Sequence, residues 1–419
     1  MKKIAALSLL AVALASTTFA AEGPSPRGVT HLNHVYLIMM ENHGYSQILN
    51  NPNAPFINQL AHSANLATNY FAIAHPSLTN YLEVVGGSNF GVLNDDYPTW
   101  HSTSCTPNLA TGIPSTEHTT SPTSICPIAG IGTEAATPAI DLTNESTGLP
   151  GTINIDGVQS IPAATNIVGK TIADQLATRG LHWKTYQEGL PSRGADLVNI
   201  SDGFYDNTTD FSKITPTLNP PLSSSGVVAL YAAKHNPFAY FRSTQEGANP
   251  LNSYANMADF DGAHGLYADL QHPIDGPTFS FIAPNQCNDQ HGRGNAGPFC
   301  NYDPSDDGSQ AGLNPALIQR GDVTVQKLVT AIKQSPAWRL GKNAIVVVWD
   351  ENDYSTAPNT NQVMLIVDTN YKVGGTVSTQ RYTHYALLKT LESGFGLPCL
   401  NHACDANVSV MSDLFGAAP

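Results

Sequence analysis

Apolar and polar positions in this chain alternate between short unbroken apolar runs and longer helical stripes. His34–Met40 (HVYLIMM), Phe279–Ala283 (FSFIA) and Asn343–Trp349 (NAIVVVW) are compact apolar runs. Runs of that length predict strands buried on both faces, hence parallel ones. Residues 181–186 and 363–367 read as further strands. Between them, helical spacing predicts helices over 53–65 (Phe56, Leu60, Ala64), 171–179 (Ile172, Leu176), 227–234 and 323–335 (Val325, Leu328, Val329, Ile332). Another helix starts at His384 and continues through Leu387, Leu388 and Leu391. Within 68–88 an apolar run stops at His75-Pro76. Ser77 then opens a helical stripe of Leu78, Tyr81, Leu82 and Val85. Strands alternating with helices predict an α/β fold with a mostly parallel central sheet covered on both faces. No internal repeat or linker is visible. The expectation is a single domain over 21–419, with a Gly-, Pro-, Ser- and Thr-rich insertion at about 89–165.

The chemistry clusters where the strands end, and in open α/β sheets ligands collect at the carboxyl ends of strands. Glu41 and Asn42 follow the first run, Asp289 and His291 follow the second, and Asp350 and Glu351 follow the third. Adjacent carboxylates at the end of a buried strand are costly unless something positive pairs with them, which points to a cation. The spacing of Asp289 and His291 lets both reach one ion from a loop. Ser77 sits at a strand-to-helix turn, where the helix amino end favours an anion. Alone, it is most simply a helix cap. Lys234 and His235, before Pro237, read either as anion contacts or as a solvated helix end.

The chain has 419 residues, of which 41% are apolar and only 12% charged. The charged share is well below the usual one. Ser, Thr, Asn, Gly and Pro must then cover the surface, as they do in exported proteins. Lys2-Lys3, the apolar stretch from Ile4 to Ala15 and Thr18-Phe19-Ala20 predict a signal peptide over 1–20. The mature protein is expected to be secreted or periplasmic, with no stable membrane insertion. Formal charge is -14, and removing Lys2 and Lys3 makes it more negative still. That balance excludes nucleic acid and anionic membrane as partners held by bulk charge. An anionic substrate would need local positive charge, for which bound metal is the obvious source. No segment points to a protein partner. The six cysteines fall into three close pairs, and the simplest connectivity is Cys105–Cys126, Cys287–Cys300 and Cys399–Cys404.

Six short segments taken together resemble a known family. They are Met39-Met40-Glu41-Asn42-His43, His75-Pro76-Ser77-Leu78-Thr79-Asn80-Tyr81, Lys234-His235-Asn236-Pro237-Phe238, Pro284-Asn285-Gln286-Cys287-Asn288-Asp289-Gln290-His291, Trp349-Asp350-Glu351 and Thr383-His384-Tyr385. The set resembles the phosphoesterase family of secreted acid phosphatases and bacterial phospholipases C, within the alkaline-phosphatase-like superfamily. The His-Pro-Ser-x-x-Asn-Tyr form is more similar to the acid phosphatase branch.

The resemblance implies an alkaline-phosphatase-like α/β sandwich that hydrolyses phosphoric esters of small molecules or lipid head groups. It implies Ser77 as nucleophile through a phosphoserine, with Thr79 a poorer match, and Asn80 as a contact to a phosphoryl oxygen. It implies divalent metal held by Glu41, Asn42, Ser77, Asp289, His291, Asp350, Glu351 and His384. Glu41 and Glu351 stand where the superfamily carries Asp and His, which makes calcium, magnesium or manganese plausible beside zinc. His235 or His291 would protonate the leaving group. A phosphodiesterase or phospholipase C is the alternative enzyme, and a non-catalytic exported metal binder the alternative of another class.

Overall fold

The computed structural model describes residues 22–90, 92, 95, 106–107, 125–126, 167–190, 231–272, 276–292, 315–352 and 360–417. The expected signal peptide, most of the 89–165 insertion, and Cys105 and Cys300 lie outside them. The strands are β1 (His34–Met40), β2 (Asn65–Phe71), β3 (Thr106–Pro107), β4 (Ile125–Cys126), β5 (Trp183–Gln187), β6 (Met257–Ala258), β7 (Phe279–Ala283), β8 (Asn343–Trp349), β9 (Gln362–Thr369), β10 (Val377–Ser378) and β11 (Tyr382–Thr383). The main sheet runs β10-β2-β9-β8-β1-β7-β5-β6, with β11 also on β2. β1 is parallel to β7 and β8, and β5 is parallel to β6 and β7. Only β9 runs antiparallel to its neighbours. β3 and β4 form a separate parallel pair within the insertion.

The apolar runs explain the sheet's centre. Every residue of β7 and β8, and all of β1 except His34, is buried. Strands covered on both faces have no solvent side on which polar residues could alternate. The principal helices are α1 (Pro55–Ser63), α2 (Ser77–Gly86), α3 (Ile172–Thr178), α4 (Pro315–Gln334) and α5 (His384–Phe395). α1 packs on α4, and α2 packs on α5 and α3. Most of the buried apolar residues among those described form one continuous cluster.

Two elements differ from the sequence reading. The expected helix over 227–234 is a single 3-10 turn at Ala233–His235, and 231–232 are non-helical. Its first four residues lie outside the described set. Pro237 cannot continue a helix, and the N–H groups of His235 and Asn236 turn back to the carbonyls of Ala232 and Ala233. α4 begins eight residues earlier than expected, with Pro315 at its start. The polar and glycine-containing stretch before Val323 hid that turn. Gly321 is needed there, because a Cβ would lie 2.2 Å from Gln290 Cγ.

α2 is fixed at both ends. Its left-handed C-cap is Gly87, where a Cβ would lie 2.5 Å from the Leu400 carbonyl oxygen. Asn401 Nδ2 donates to the Gly86 carbonyl (2.7 Å) and His402 N to that of Gly87 (2.9 Å). These donors sit in the short loop closed by the Cys399–Cys404 disulfide. At its amino end, α1 receives a carboxylate from a distant helix. The buried Asp322 of α4 accepts from Phe56 N (3.2 Å) and Ile57 N (2.7 Å). It thereby satisfies two N–H groups that no intrahelical carbonyl can reach. Replacing Asp322 with Ala should cost about 1–2 kcal/mol of stability. Asp322→Asn, which keeps one acceptor, should cost less. Urea denaturation checks both.

Candidate active site

The ends of three neighbouring strands deliver the acidic groups, and backbone bonds fix their mutual placement. Glu41 N donates to Asp289 O, and Asp350 N to Met40 O, both at 2.9 Å. Asn42 N donates to Asp350 Oδ1 at 3.0 Å. Asn42 adopts φ 50°, a left-handed conformation that Asn tolerates better than most residues. Its contribution here is this backbone donor. The chain then crosses to α2, entering through the cis bond His75–Pro76.

Ser77 opens α2 and is buried. Its Oγ lies 3.1 Å from Glu41 Oε2 and 3.3 Å from Glu351 Oε1, so two acceptors face one hydroxyl proton. Glu351 is well answered, with Oε2 accepting from Asn80 Nδ2 (3.0 Å) and lying 2.8 Å from His75 Nδ1. Thr79, the competing hydroxyl, donates to the Pro76 carbonyl and is committed there.

His235 lies between two carboxylates. Nε2 is 3.1 Å from Glu41 Oε1 and Nδ1 is 3.3 Å from Asp289 Oδ2. Tyr81, one turn after Ser77, stacks on the imidazole with ring centroids 5.2 Å apart and planes 8° from parallel. Lys234 is buried at 7% exposure, with Nζ 3.2 Å from both Asp95 Oδ2 and His291 Nε2. The solvated-helix-end reading of Lys234 is therefore overturned. Asp95 also accepts from Leu78 N at 3.0 Å. His291 Nδ1 is 2.8 Å from the Gly292 carbonyl, which assigns its proton to Nδ1 and leaves Nε2 to accept from Lys234.

Two expected site residues are used differently. Asn80 has no N–H left for a phosphoryl oxygen. Its Oδ1 accepts from Ile73 N and Ala74 N (both 3.1 Å), and its Nδ2 donates to Ala74 O (2.8 Å) and Glu351. That exhausts an amide's two donors and two acceptor sites. His384 is likewise committed, with Nε2 2.6 Å from the Asp350 carbonyl and Nδ1 2.9 Å from Tyr70 OH. Burial pushes it down to about 4, so the ring is neutral and donates to that carbonyl. It braces Asp350 through the backbone and offers no free lone pair to a metal.

The acidic groups are pushed upward by burial. Glu41, Asp289 and Asp350 all stand well above the usual carboxylate range, first from desolvation and then from a neighbouring carboxylate. That neighbour is Asp350 for Glu41, Glu41 for Asp289 and Glu351 for Asp350. Among the described residues, no three His, Cys, Asp or Glu side chains converge in a ready-made coordination cage. The donor chemistry nevertheless fits a hard cation. Asp350 Oδ2, Glu41 Oε1 and Asp289 Oδ2 are buried without a hydrogen-bond donor in proper geometry. Asp350 faces the Glu41 carboxyl, and two such groups need a proton or a cation between them.

A second polar knot, missed in the sequence, anchors the loop that carries Asp289. Glu188 accepts from Asn285 N (3.0 Å) and from Asn288 Nδ2, 2.8 Å from each carboxylate oxygen. Arg320 Nε donates to Asn288 Oδ1 at 2.6 Å. Glu188, Asn288 and Arg320 line a cavity of about 430 Å³ with Phe260, Asp261 and Tyr267. Cys287 is disulfide-bonded.

The model of the Phosphoesterase family matches residues 47–298 and 311–398. The chain is 22% identical to "Phosphatidylinositol-3-phosphatase" of Mycobacterium tuberculosis, over 99% of this chain and 94% of that protein. It is 25% identical to "Phosphate-repressible acid phosphatase" of Penicillium chrysogenum, over 85% of this chain and 58% of that protein. The chain thus spans a little over half the length of that fungal relative. Among solved structures, a Vibrio parahaemolyticus protein described as in the alkaline phosphatase superfamily aligns with TM-score 0.42 and 12% identity. That alignment covers 91% of this chain and 71% of the other.

Beside the Glu188 knot, Asp259 accepts from Gly189 N (3.0 Å) and Phe260 N (2.6 Å), and burial pushes it up to about 7. The unfolded chain releases that proton near the ordinary value of about 4, so the folded state binds more protons between the two. Asp259 should therefore make stability fall as pH rises from about 4 to about 7. Asp259→Asn keeps an acceptor for the N–H groups. It should flatten that fall and stabilise the protein above neutrality, as read by urea denaturation across pH. An unchanged pH dependence would remove Asp259 as the cause.

Proposed function

We propose that this chain, which belongs to the Phosphoesterase family and is a hydrolase of phosphoric esters, works as a metal-assisted phosphomonoesterase with Ser77 as nucleophile. One observation carries this reading: a buried hydroxyl at the amino end of α2, held between Glu41 and Glu351. Ser77 Oγ attacks phosphorus in line with the departing ester oxygen. The Oγ–P bond forms as the P–O bond to the leaving group breaks, which gives a phosphoserine. Glu351, oriented by His75 and Asn80, accepts the Ser77 proton. His235, whose ring nitrogens lie 3.1 Å from Glu41 Oε1 and 3.3 Å from Asp289 Oδ2, is the group we place to give a proton to the leaving oxygen. His291 fits that role less well, because its Nε2 accepts from Lys234. Water then attacks the phosphoserine while His235 takes one of its protons, the P–Oγ bond breaks, phosphate leaves and Glu351 returns the proton to Ser77 Oγ.

Glu41, Asp289 and Asp350 are the side chains that would hold a divalent ion, and their oxygens favour a hard one such as calcium, magnesium or manganese. When bound, such an ion supplies positive charge that eases ionisation of the Ser77 hydroxyl and polarises the phosphoryl group. Asn80 and His384 keep these groups in place.

The relatives' names favour a monoester over a diester, on a small molecule or on a lipid head group. Export is the compartment we propose. Its support is the signal-like residues 1–20, the low charged fraction and the disulfide at Cys399–Cys404. No helix among the described residues is long and apolar enough to cross a membrane.

Ser77→Ala should lower turnover of p-nitrophenyl phosphate by roughly a thousandfold or more while leaving the circular dichroism spectrum unchanged. Substantial turnover in that variant would remove Ser77 from the chemistry. Chelation should abolish activity and a divalent ion restore it, with metal analysis of the active protein naming the ion. Activity indifferent to chelation would sink the metal role. Bis-p-nitrophenyl phosphate should be turned over more slowly than the monoester. The reverse order would favour the phosphodiesterase reading.

A further inference from the structure

We infer that the Asp95 carboxylate occupies the phosphoryl position of this site, that Lys234 recognises the anionic oxygens of the substrate, and that substrate binds by replacing Asp95 on both donors. The inference rests on the phosphatase reading and adds its recognition step. Asp95 and Lys234 are each buried at 7% exposure. One Asp95 oxygen takes the Leu78 N–H at the amino end of α2 (3.0 Å), and the other faces Lys234 Nζ (3.2 Å). Leu78 directly follows the nucleophile. A helix amino end and a buried ammonium are the two donors that suit a phosphoryl group, and a carboxylate spanning both imitates two of its oxygens.

Asp322, which also reaches a helix end from far away in the chain, shows what a plain cap looks like. Asp322 spends both oxygens on neighbouring backbone N–H groups of α1. Asp95 spends one on the helix and turns the other to a cation beside the reacting centre. Lys234 also contacts His291, which places it on the Asp289 side of the site. Its charge is already matched, so an incoming phosphoryl group gains only what remains after Asp95 is parted from it.

The test uses inorganic phosphate as probe. Asp95→Asn keeps an acceptor for Leu78 N–H and removes the charge. Phosphate should then raise the melting temperature at about tenfold lower concentration than in the wild type, and should inhibit p-nitrophenyl phosphate hydrolysis with a Ki lower by a similar factor. Asp95→Ser, which can also cap a helix, should act in the same direction if the Asn variant fails to fold. Lys234→Met should abolish the response to phosphate. An unchanged or weaker response in folded Asp95 variants would make Asp95 a cap only. It would overturn this inference and leave the phosphatase reading standing. A wild-type protein that neither responds to phosphate nor hydrolyses p-nitrophenyl phosphate with divalent ions would overturn the phosphatase reading, and this inference with it.

Discussion

Four carboxylates buried side by side set the terms for everything around them. Glu41, Asp289, Asp350 and Glu351 each have almost no solvent exposure. Taking a carboxylate out of water is expensive unless donors or positive charge replace the lost hydration. The sheet order β8-β1-β7 brings them together, because β1 and β8 end on acidic residues and the loop after β7 returns Asp289 to Glu41 N. The surroundings answer the charge unevenly. Glu351 has Ser77, His75 and Asn80. Asp350 has the backbone N–H groups of Asn42 and Glu351 and then meets Glu41. The unanswered side of the cluster is the side with chemistry left to do.

The helix α2 turns that arrangement into a site. Ser77, Asn80 and Tyr81 fall at helical spacing on one face, so one element presents the proposed nucleophile, an amide that pins Glu351 and the ring that backs His235. Asn80 illustrates how positioning and contact differ. Its amide is spent on the 73–74 backbone and on Glu351, which makes the approach to Ser77 rigid. His384 does the same for Asp350 from the other side, through a carbonyl. Preorganisation of this kind is what lets fixed groups stabilise a transition state without moving.

Much of this was legible in the sequence because it depends on local pattern. Unbroken apolar runs marked β1, β7 and β8, and acidic residues directly after β1 and β8 and in the loop after β7 marked the cluster, since a strand's end fixes where the chain emerges. Ser77 was legible for the same reason, at a turn made obvious by Pro76. The roles of Asn80 and His384 were not, because residue type reveals donor capacity and not how much of it the fold consumes. Asp95, Glu188 and Arg320 were invisible for another reason. Each acts on a residue far away in the chain, and no periodicity announces where a loop returns. Lys234 was misjudged because its burial depends on those distant elements.

The short loop closed by Cys399 and Cys404 spans few residues, so it removes little chain entropy and its value lies in shape. That shape holds two donors against the last carbonyls of α2. The helix is therefore clamped by a covalent loop at one end and carries the reacting hydroxyl at the other. Oxidation of the loop and seating of Ser77 are coupled through the helix, and by reciprocity whatever favours one favours the other. Reducing that bond would release the donors at one end of a rod whose other end carries Ser77, so the oxidation of a remote loop bears on the placement of a single hydroxyl.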